Sequence, residues 1–174
     1  MTQPRLMQPK AMDDLFLYRI SRLLATAGAQ VVRLCEGQFG ITRREWRIVA
    51  LLAQQQGILS SELALRAQLD RARTSRAVTA LVAKNLLSRV TRAGDRRAAT
   101  LALTQAGLAL YTALFPRVVA INRELLSVLG EAEATTLDSA LGLLQAHAEA
   151  LAHAGQDGPK ADRRRGGRRR QLAG

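Results

Sequence analysis

The chain has 174 residues, the size of one ordinary domain, with 26 Lys and Arg against 14 Asp and Glu for a formal charge of +12; that balance points to nucleic acid or an anionic surface as partner. Hydrophobic residues make up 48% and aromatic residues 3%, so a core is available and must be built from Leu, Val, Ile and Ala. A single cysteine, Cys35, and two histidines, His147 and His153, exclude an intramolecular disulfide framework and a cysteine-rich structural zinc site within one chain, and no metal or cofactor is expected.

No apolar run approaches the ~18 residues of a membrane span. The opening stretch MTQPRLMQPKAMDD has no signal-peptide apolar region. A reducing, cytoplasmic location without a membrane partner is therefore expected. Residues 1–11, with Pro4 and Pro9 and no periodicity, predict a flexible arm. From 13 to about 37 the apolar positions Leu17, Ile20, Leu24, Ala27, Val31 and Leu34 alternate spacings of three and four, one face of an amphipathic helix. Gly37 and Gly40 are expected to break it.

Thr42-Arg43-Arg44-Glu45 reads as a capping box, in which hydroxyl and carboxylate satisfy orphan N–H groups. It predicts a helix to about Gln55 that buries Trp46, Val49, Ala50 and Ala53, with Gly57 ending it. Ser60 is a plausible N-cap for a short helix, Ser61–Ala67, and Asp70 for a further helix over about 71–84. On that helix Thr74, Val78, Leu81 and Val82 fall on one side. Arg73, Arg76, Ala80 and Lys84 fall opposite, flanked by Ala72 and Thr79. Every charge on the outward face is basic, and the small residues allow close approach to base edges. A solvated face of an ordinary helix would mix the two signs.

Asn85 suits the left-handed conformation after a helix. Leu87–Arg92 and Ala98–Leu103 then read as two strands with their turn at Ala93-Gly94-Asp95-Arg96, and Thr104 as the cap of the next helix. Between Leu69 and Thr104 eight basic residues, Arg71, Arg73, Arg76, Lys84, Arg89, Arg92, Arg96 and Arg97, face only Asp70 and Asp95. A basic helix followed by a basic hairpin fits two neighbouring grooves of duplex DNA. The next helix, Gln105 to about Val128, carries Leu110, Leu114, Val118, Ile121, Leu125 and Val128 on one stripe, with Pro116 expected to kink it. After Gly130 a last helix, about 131–153, carries Leu137, Leu141, Leu144, Ala148 and Leu151. These flanking stripes would close either a three-helix bundle within one chain or a two-fold dimer; palindromic DNA favours the dimer. Residues 155–174 hold seven basic and two acidic residues without apolar periodicity. They read as a disordered tail from Ala154 onward, either simply solvated or a nonspecific DNA arm.

In order and spacing these residues resemble the MarR (multiple antibiotic resistance regulator) family of bacterial winged helix-turn-helix transcription factors, over about residues 13–153. Asp95-Arg96-Arg97 followed by Leu101, Leu103-Thr104 and Gly107 is similar to the family's wing signature. Asp70 with Ser75-Arg76-Ala77-Val78 and the exit Leu86-Leu87-Ser88-Arg89 resemble its recognition-helix region. Ser60-Ser61-Glu62-Leu63-Ala64 resembles its scaffold helix. Asn85 departs mildly, since many members have Gly there, and the Arg-rich tail is outside the family pattern.

The resemblance implies a mainly α fold with a small β-wing. A winged helix-turn-helix at about 41–104 is joined to dimerisation helices at about 13–37 and 105–153, making one domain over 12–153. It implies a homodimer with the helix at 71–84 in the major groove. By analogy the wing tip enters the minor groove, where Arg97 inserts and Asp95 orients it; alternatively Asp95 only forms the turn. Expected DNA contacts are Arg71, Arg73, Thr74, Ser75, Arg76, Thr79, Arg92, Asp95, Arg96 and Arg97. Thr74 is the weakest of the helix contacts because it turns partly inward. The partner implied is a pseudo-palindromic operator in double-stranded DNA of the bacterial nucleoid. The implied trigger is a small aromatic or phenolic acid, with Trp46 as pocket wall or core residue and Arg22 as carboxylate partner or surface residue. Cys35 offers a rival thiol-oxidation trigger, although a helix C-terminus does not lower a thiol pKa. A nonspecific DNA-compacting protein would share the charge without needing a groove-shaped reader. An enzyme is not expected, because the chain has no Walker A loop, G-x-S-x-G or histidine-based metal motif.

Overall fold

The structure, a computed structural model, describes residues 5–92 and 95–154, and the side chains of residues 91–99 lie outside that description. In chain order the described residues form a 3-10 turn (Met12–Asp14), α1 (Phe16–Gln38), α2 (Arg43–Gln54), β1 (Ile58–Leu59), α3 (Ser60–Arg66), α4 (Arg71–Ala83), β2 (Leu87–Arg92), β3 (Asp95–Leu103), α5 (Gln105–Leu126) and α6 (Glu131–Ala154). The architecture is mainly helical with a small antiparallel sheet, as the apolar spacings predict. The chain divides into two compact units between Leu125 and Leu126.

The helix ends follow local chemistry. The Thr42 hydroxyl accepts the Glu45 N–H at 3.2 Å, and the Glu45 carboxylate accepts the Thr42 N–H at 2.6 Å. The predicted capping box is therefore closed. Asp70 caps α4 by accepting the Arg73 N–H at 2.7 Å. Asn85 lies at φ +56° after α4, and Gly57 at φ +76° after α2. Gly37 stays inside α1, and the break falls to Gly40 at φ +62°. α3 starts at Ser60 rather than Ser61, with Leu59 at its cap position. Leu59 is tied into β1 opposite Thr100, so the chain stays extended up to Ser60. α5 runs continuously through Pro116 from Gln105 to Leu126. The Pro ring removes only the one N–H that would reach the Thr112 carbonyl.

The sheet order is β1-β3-β2. Its short first strand is absent from the sequence reading, because two residues carry no periodicity. It exists through pairing with a distant segment, Ile58 opposite Leu101. The hairpin pairs Leu87 with Leu103 and Val90 with Thr100, slips register, and pairs Arg92 with Asp95. β3 thus begins three residues before the expected Ala98, and Asp95–Arg97 belong to a strand by backbone rather than to the turn.

The core of the first unit gathers Ile41, Trp46, Ile48, Val49, Leu52, Leu63, Val78, Leu81, Leu101 and Leu114. Ile48 and Leu52 displace the expected Ala50 and Ala53, which are half-buried, because the larger side chains remove more apolar area from water. α5 approaches closely where Gly107 lies. A Cβ there would come within 2.1 Å of the Leu86 carbonyl oxygen, so only glycine fits. Cys35, Leu34 and Val31 at the C-terminal half of α1 join the core, whereas Leu17, Ile20, Leu23 and Leu24 at its N-terminal half are exposed. In the second unit, Leu137, Leu141, Leu144 and Leu151 of α6 are also exposed.

Candidate nucleic-acid interface

α4 is held by its aliphatic face. Thr74, Val78 and Leu81 are buried there, which leaves the opposite face free. Arg71, Arg73, Ser75, Arg76 and Thr79 are all exposed on α4. Arg73 forms an ion pair with the capping Asp70 at 3.2 Å, which anchors its stem at the helix start without burying the guanidinium. Arg76 stands one turn further along the same face. The structure therefore brings four exposed residues of the expected set, Arg73, Ser75, Arg76 and Thr79, onto one helix, with Arg71 at its first position.

Three expectations on this helix are corrected. Thr74 is 1% exposed, and its hydroxyl donates to the Asp70 carbonyl at 3.0 Å. It packs beneath the exposed face of α4 instead of standing on it. Val82, expected inward, is 37% exposed, since Leu81 takes the core position beside it. Lys84, expected on the outward basic face, folds back. Its ammonium donates to Glu45 at 2.9 and 3.0 Å and to the Gly40 carbonyl at 2.8 Å.

The hairpin begins directly after α4. Arg89 lies opposite the buried Leu101 on β2, on the same side as Leu87. From there its guanidinium reaches the Thr79 hydroxyl at 3.4 Å. Arg89 thus joins the hairpin to α4. The charge tally included it, but only register could place it. Arg92, Asp95, Arg96 and Arg97 occupy the distal part of β2 and β3 by backbone. Their side chains, and the tail at 155–174, lie outside the described residues.

The residues considered for an effector fall elsewhere than expected. Trp46 is buried and stacks on Tyr111 with ring centroids 5.8 Å apart, and Tyr111 stacks on Phe115 at 5.2 Å. It is a core residue and not an open pocket wall. Arg22 pairs with Asp13 at 2.9 Å and lies over the Tyr18 ring, so a neighbour already meets its charge. A cleft of about 440 Å³ that the sequence did not indicate lies between Leu24 and the acidic Glu36 of α1, Thr42, Arg43, Arg44 and Arg47 at the start of α2, and Leu69. Arg43 reaches over α1 where Gly28 has no side chain; a Cβ there would stand 2.7 Å from its guanidinium. Arg47 donates to the Ala67 carbonyl at 2.9 Å, just before the turn into α4. Among the described residues Arg43 and Arg44 form no ion pair.

Cys35 is fully buried, and burial pushes its thiol above the ordinary range, with Glu36 adding to the rise and Arg43 opposing it. Reactive thiols need exposure and a lowered pKa; Cys35 has neither. Among the described residues no group of three or more potential ligands is placed to hold a metal ion, and no helix is long and apolar enough to cross a membrane.

Comparison with known proteins agrees with this geometry. Residues 39–98, from the turn before α2 to the start of β3, match the family model described as MarR family. A MarR family transcriptional regulator from Silicibacter pomeroyi DSS-3 superposes with a TM-score of 0.67 at 27% identity, covering 82% of this chain and 98% of that one. A MarR/EmrR family regulator from Acinetobacter sp. ADP1 superposes with a TM-score of 0.73 at 24% identity, covering 80% and 98%. The transcriptional regulator SlyA does so at 0.70 and 19%, covering 77% and 94%. No curated protein matches in sequence.

Proposed function

We propose that this chain, which carries the winged helix-turn-helix of the MarR family of transcriptional regulators, acts as a dimeric, cytoplasmic repressor that reads a pseudo-palindromic operator with half-sites about one helical turn apart. The observation that carries the reading is the exposed face of α4, where Arg73 and Arg76 stand outward while Thr74, Val78 and Leu81 are buried behind them. Arg76, Arg73, Ser75 and Thr79 contact bases or phosphates in the major groove, and Arg71 and Arg92 contact phosphates. Asp95, Arg96 and Arg97 on the distal hairpin serve the flanking minor groove, with Arg97 as the inserted side chain. The exposed leucines and isoleucine of α1, and those of α6, supply the surface on which a second copy packs. The basic tail adds sequence-independent attraction to the duplex.

A small aromatic or phenolic acid releases the DNA. Its site in this reading is the cleft beside Leu24 and Leu69, where Arg43, Arg44 and Arg47 outnumber the one acidic lining residue, Glu36, so that an apolar body and a carboxylate are both met.

Fluorescence anisotropy on DNA from the chain's own upstream region, against a scrambled duplex, tests the proposal. Affinity on the upstream DNA is expected to fall about 10³–10⁵-fold between 50 and 200 mM salt for 6–10 phosphate contacts. Arg76→Ala is expected to cost about 1–3 kcal/mol there and much less on scrambled DNA. Equal weakening on both duplexes reduces Arg76 to a phosphate contact, and a flat salt response overturns the reading.

A further inference from the structure

α4 ends in an ion pair that reading DNA does not use. Lys84 is its C-cap, with its own N–H turned back to the Ala80 and Val82 carbonyls. The Lys84 ammonium donates to both oxygens of Glu45, at 3.0 and 2.9 Å, and to the Gly40 carbonyl at 2.8 Å. An ammonium has three protons, and three acceptors meet them. The Glu45 side chain is only 4% exposed and that of Lys84 38%, so the carboxylate end of the pair is withdrawn from solvent while the lysine stem stays partly in water. The same carboxylate accepts the Thr42 N–H at 2.6 Å. One buried acid thus holds the first turn of α2 and the last turn of α4. Gly40, the third anchor, sits in the turn after α1, where the Phe39 and Ile41 N–H groups both donate to the Cys35 carbonyl.

We infer that Lys84 is a positioning residue for DNA reading: with Glu45 and Gly40 it sets the tilt of α4 on the body of the protein, and it does not touch DNA. The inference rests on α4 being the DNA-reading helix. The aliphatic contacts of Val78 and Leu81 are not directional, and the small Ala77 and Ala80 beside them add no polar anchor of their own. The polar tie at Lys84 is directional. α4 has 13 residues, about 20 Å of helix. A tilt of about 3° around its C-terminal anchor moves the N-terminal residues by about 1 Å, beyond the ~0.5 Å that a binding constellation tolerates. Arg73 and Arg76 are nearer that moving end, so losing the tie misplaces the base contacts. Sequence-independent attraction to phosphates survives a tilt of this size, and Lys84 contributes little to it because Glu45 cancels its charge.

The test uses the full chain and a duplex enriched by that chain from a random-sequence library, with an unselected duplex as reference. Glu45→Gln/Lys84→Met keeps the net charge and the capping box, since Gln serves at that position, but removes the tie. The expected result is about a tenfold loss on the enriched duplex, no more than a twofold change on the unselected one, and an unchanged slope of log K against log salt. Losses on both duplexes with a slope shallower by about one would make Lys84 a phosphate contact and overturn the inference, as would no change on either. Glu45→Gln alone provides a second arm that preserves packing. It raises the net charge, so a phosphate-binding Lys84 predicts equal or tighter binding, whereas a positioning Lys84 predicts a severalfold loss on the enriched duplex only. Failure to enrich any duplex would remove the DNA-reading premise itself, an outcome distinct from a selective clamp that fails to appear.

Discussion

Single side chains on this protein are sorted by whether the fold already uses their polar atoms. Arg76 is exposed, while the Lys84 ammonium donates to Glu45 and the Gly40 carbonyl; two basic residues of one helix are therefore proposed to have different roles. Thr74 and Thr79 differ in the same way, one bonded inward to Asp70 and the other exposed beside Arg89. Cys35 shows what burial does to an ionisable group. Its folded pKa is raised by desolvation, so the unfolded chain loses the thiol proton first as pH rises. Above about pH 8.5, where a free thiol ionises, the unfolded state binds fewer protons than the folded state, and stability falls with rising pH. Below that range the contribution is fully present. Urea melts at pH 7.5 and 9.5 are expected to show a smaller pH-dependent loss in Cys35→Ala than in the wild type. The native thiol is expected to react with a disulfide reagent only as fast as the fold opens; rapid stoichiometric labelling at neutral pH would contradict this.

Among the elements, α2 reaches several neighbours. Its capping carboxylate reaches α4, its Trp46 stacks on α5, and its arginines line the cleft toward α1 and Leu69. The cleft touches the turn that leads into α4 through the Arg47–Ala67 bond. An anion settling among Arg43, Arg44 and Arg47 bears on that turn, which gives the proposed effector a route to the reading helix through differential binding to two arrangements of it. With benzoate as the probe, Arg44→Gln is expected to raise the concentration for half-release of DNA about tenfold while leaving DNA affinity without benzoate nearly unchanged. A charge-assisted hydrogen bond of about 1.5–3 kcal/mol sets that scale. Identical release curves would remove Arg44 from the effector site. The cleft was not legible in the sequence, because Thr42-Arg43-Arg44-Glu45 announces a helix start and says nothing of what lies across from it. The hairpin was legible as a pair of strands, but its register was not, since Ala98 and Ala99 carry no alternation that distinguishes strand from turn.

At the scale of the whole molecule, each of the two units carries exposed apolar residues among the described ones. Leu17, Ile20, Leu23 and Leu24 of α1 and Leu137, Leu141, Leu144 and Leu151 of α6 are exposed, although each set continues a helical stripe. Water is a poor neighbour for stripes of this length, and a second copy is the cover we propose. Sedimentation is expected to give a dimer for the wild type. Ile20→Glu and Leu141→Glu are each expected to shift it toward monomer, because burying an unpaired carboxylate costs several kcal/mol. Palindrome affinity should fall with the monomer shift, and dimers that persist in both variants would place the interface elsewhere.

Local chemistry in the sequence determined which segments are helices, the two polar caps at Thr42 and Asp70, the left-handed Asn85, and the basic character of the segment from α4 through the hairpin. Each depends on residues within a few positions of one another, so spacing alone exposes it. The tertiary structure alone decided that Lys84 turns to Glu45, 39 residues away, that Arg89 meets Thr79, that Ile58 makes a strand with Leu101, and that Trp46 and Cys35 are sealed in the core. A helical wheel records which way a side chain leaves its helix. Which polar atom it then meets depends on the elements packed alongside, and that separates a residue available for DNA from one already committed to the fold.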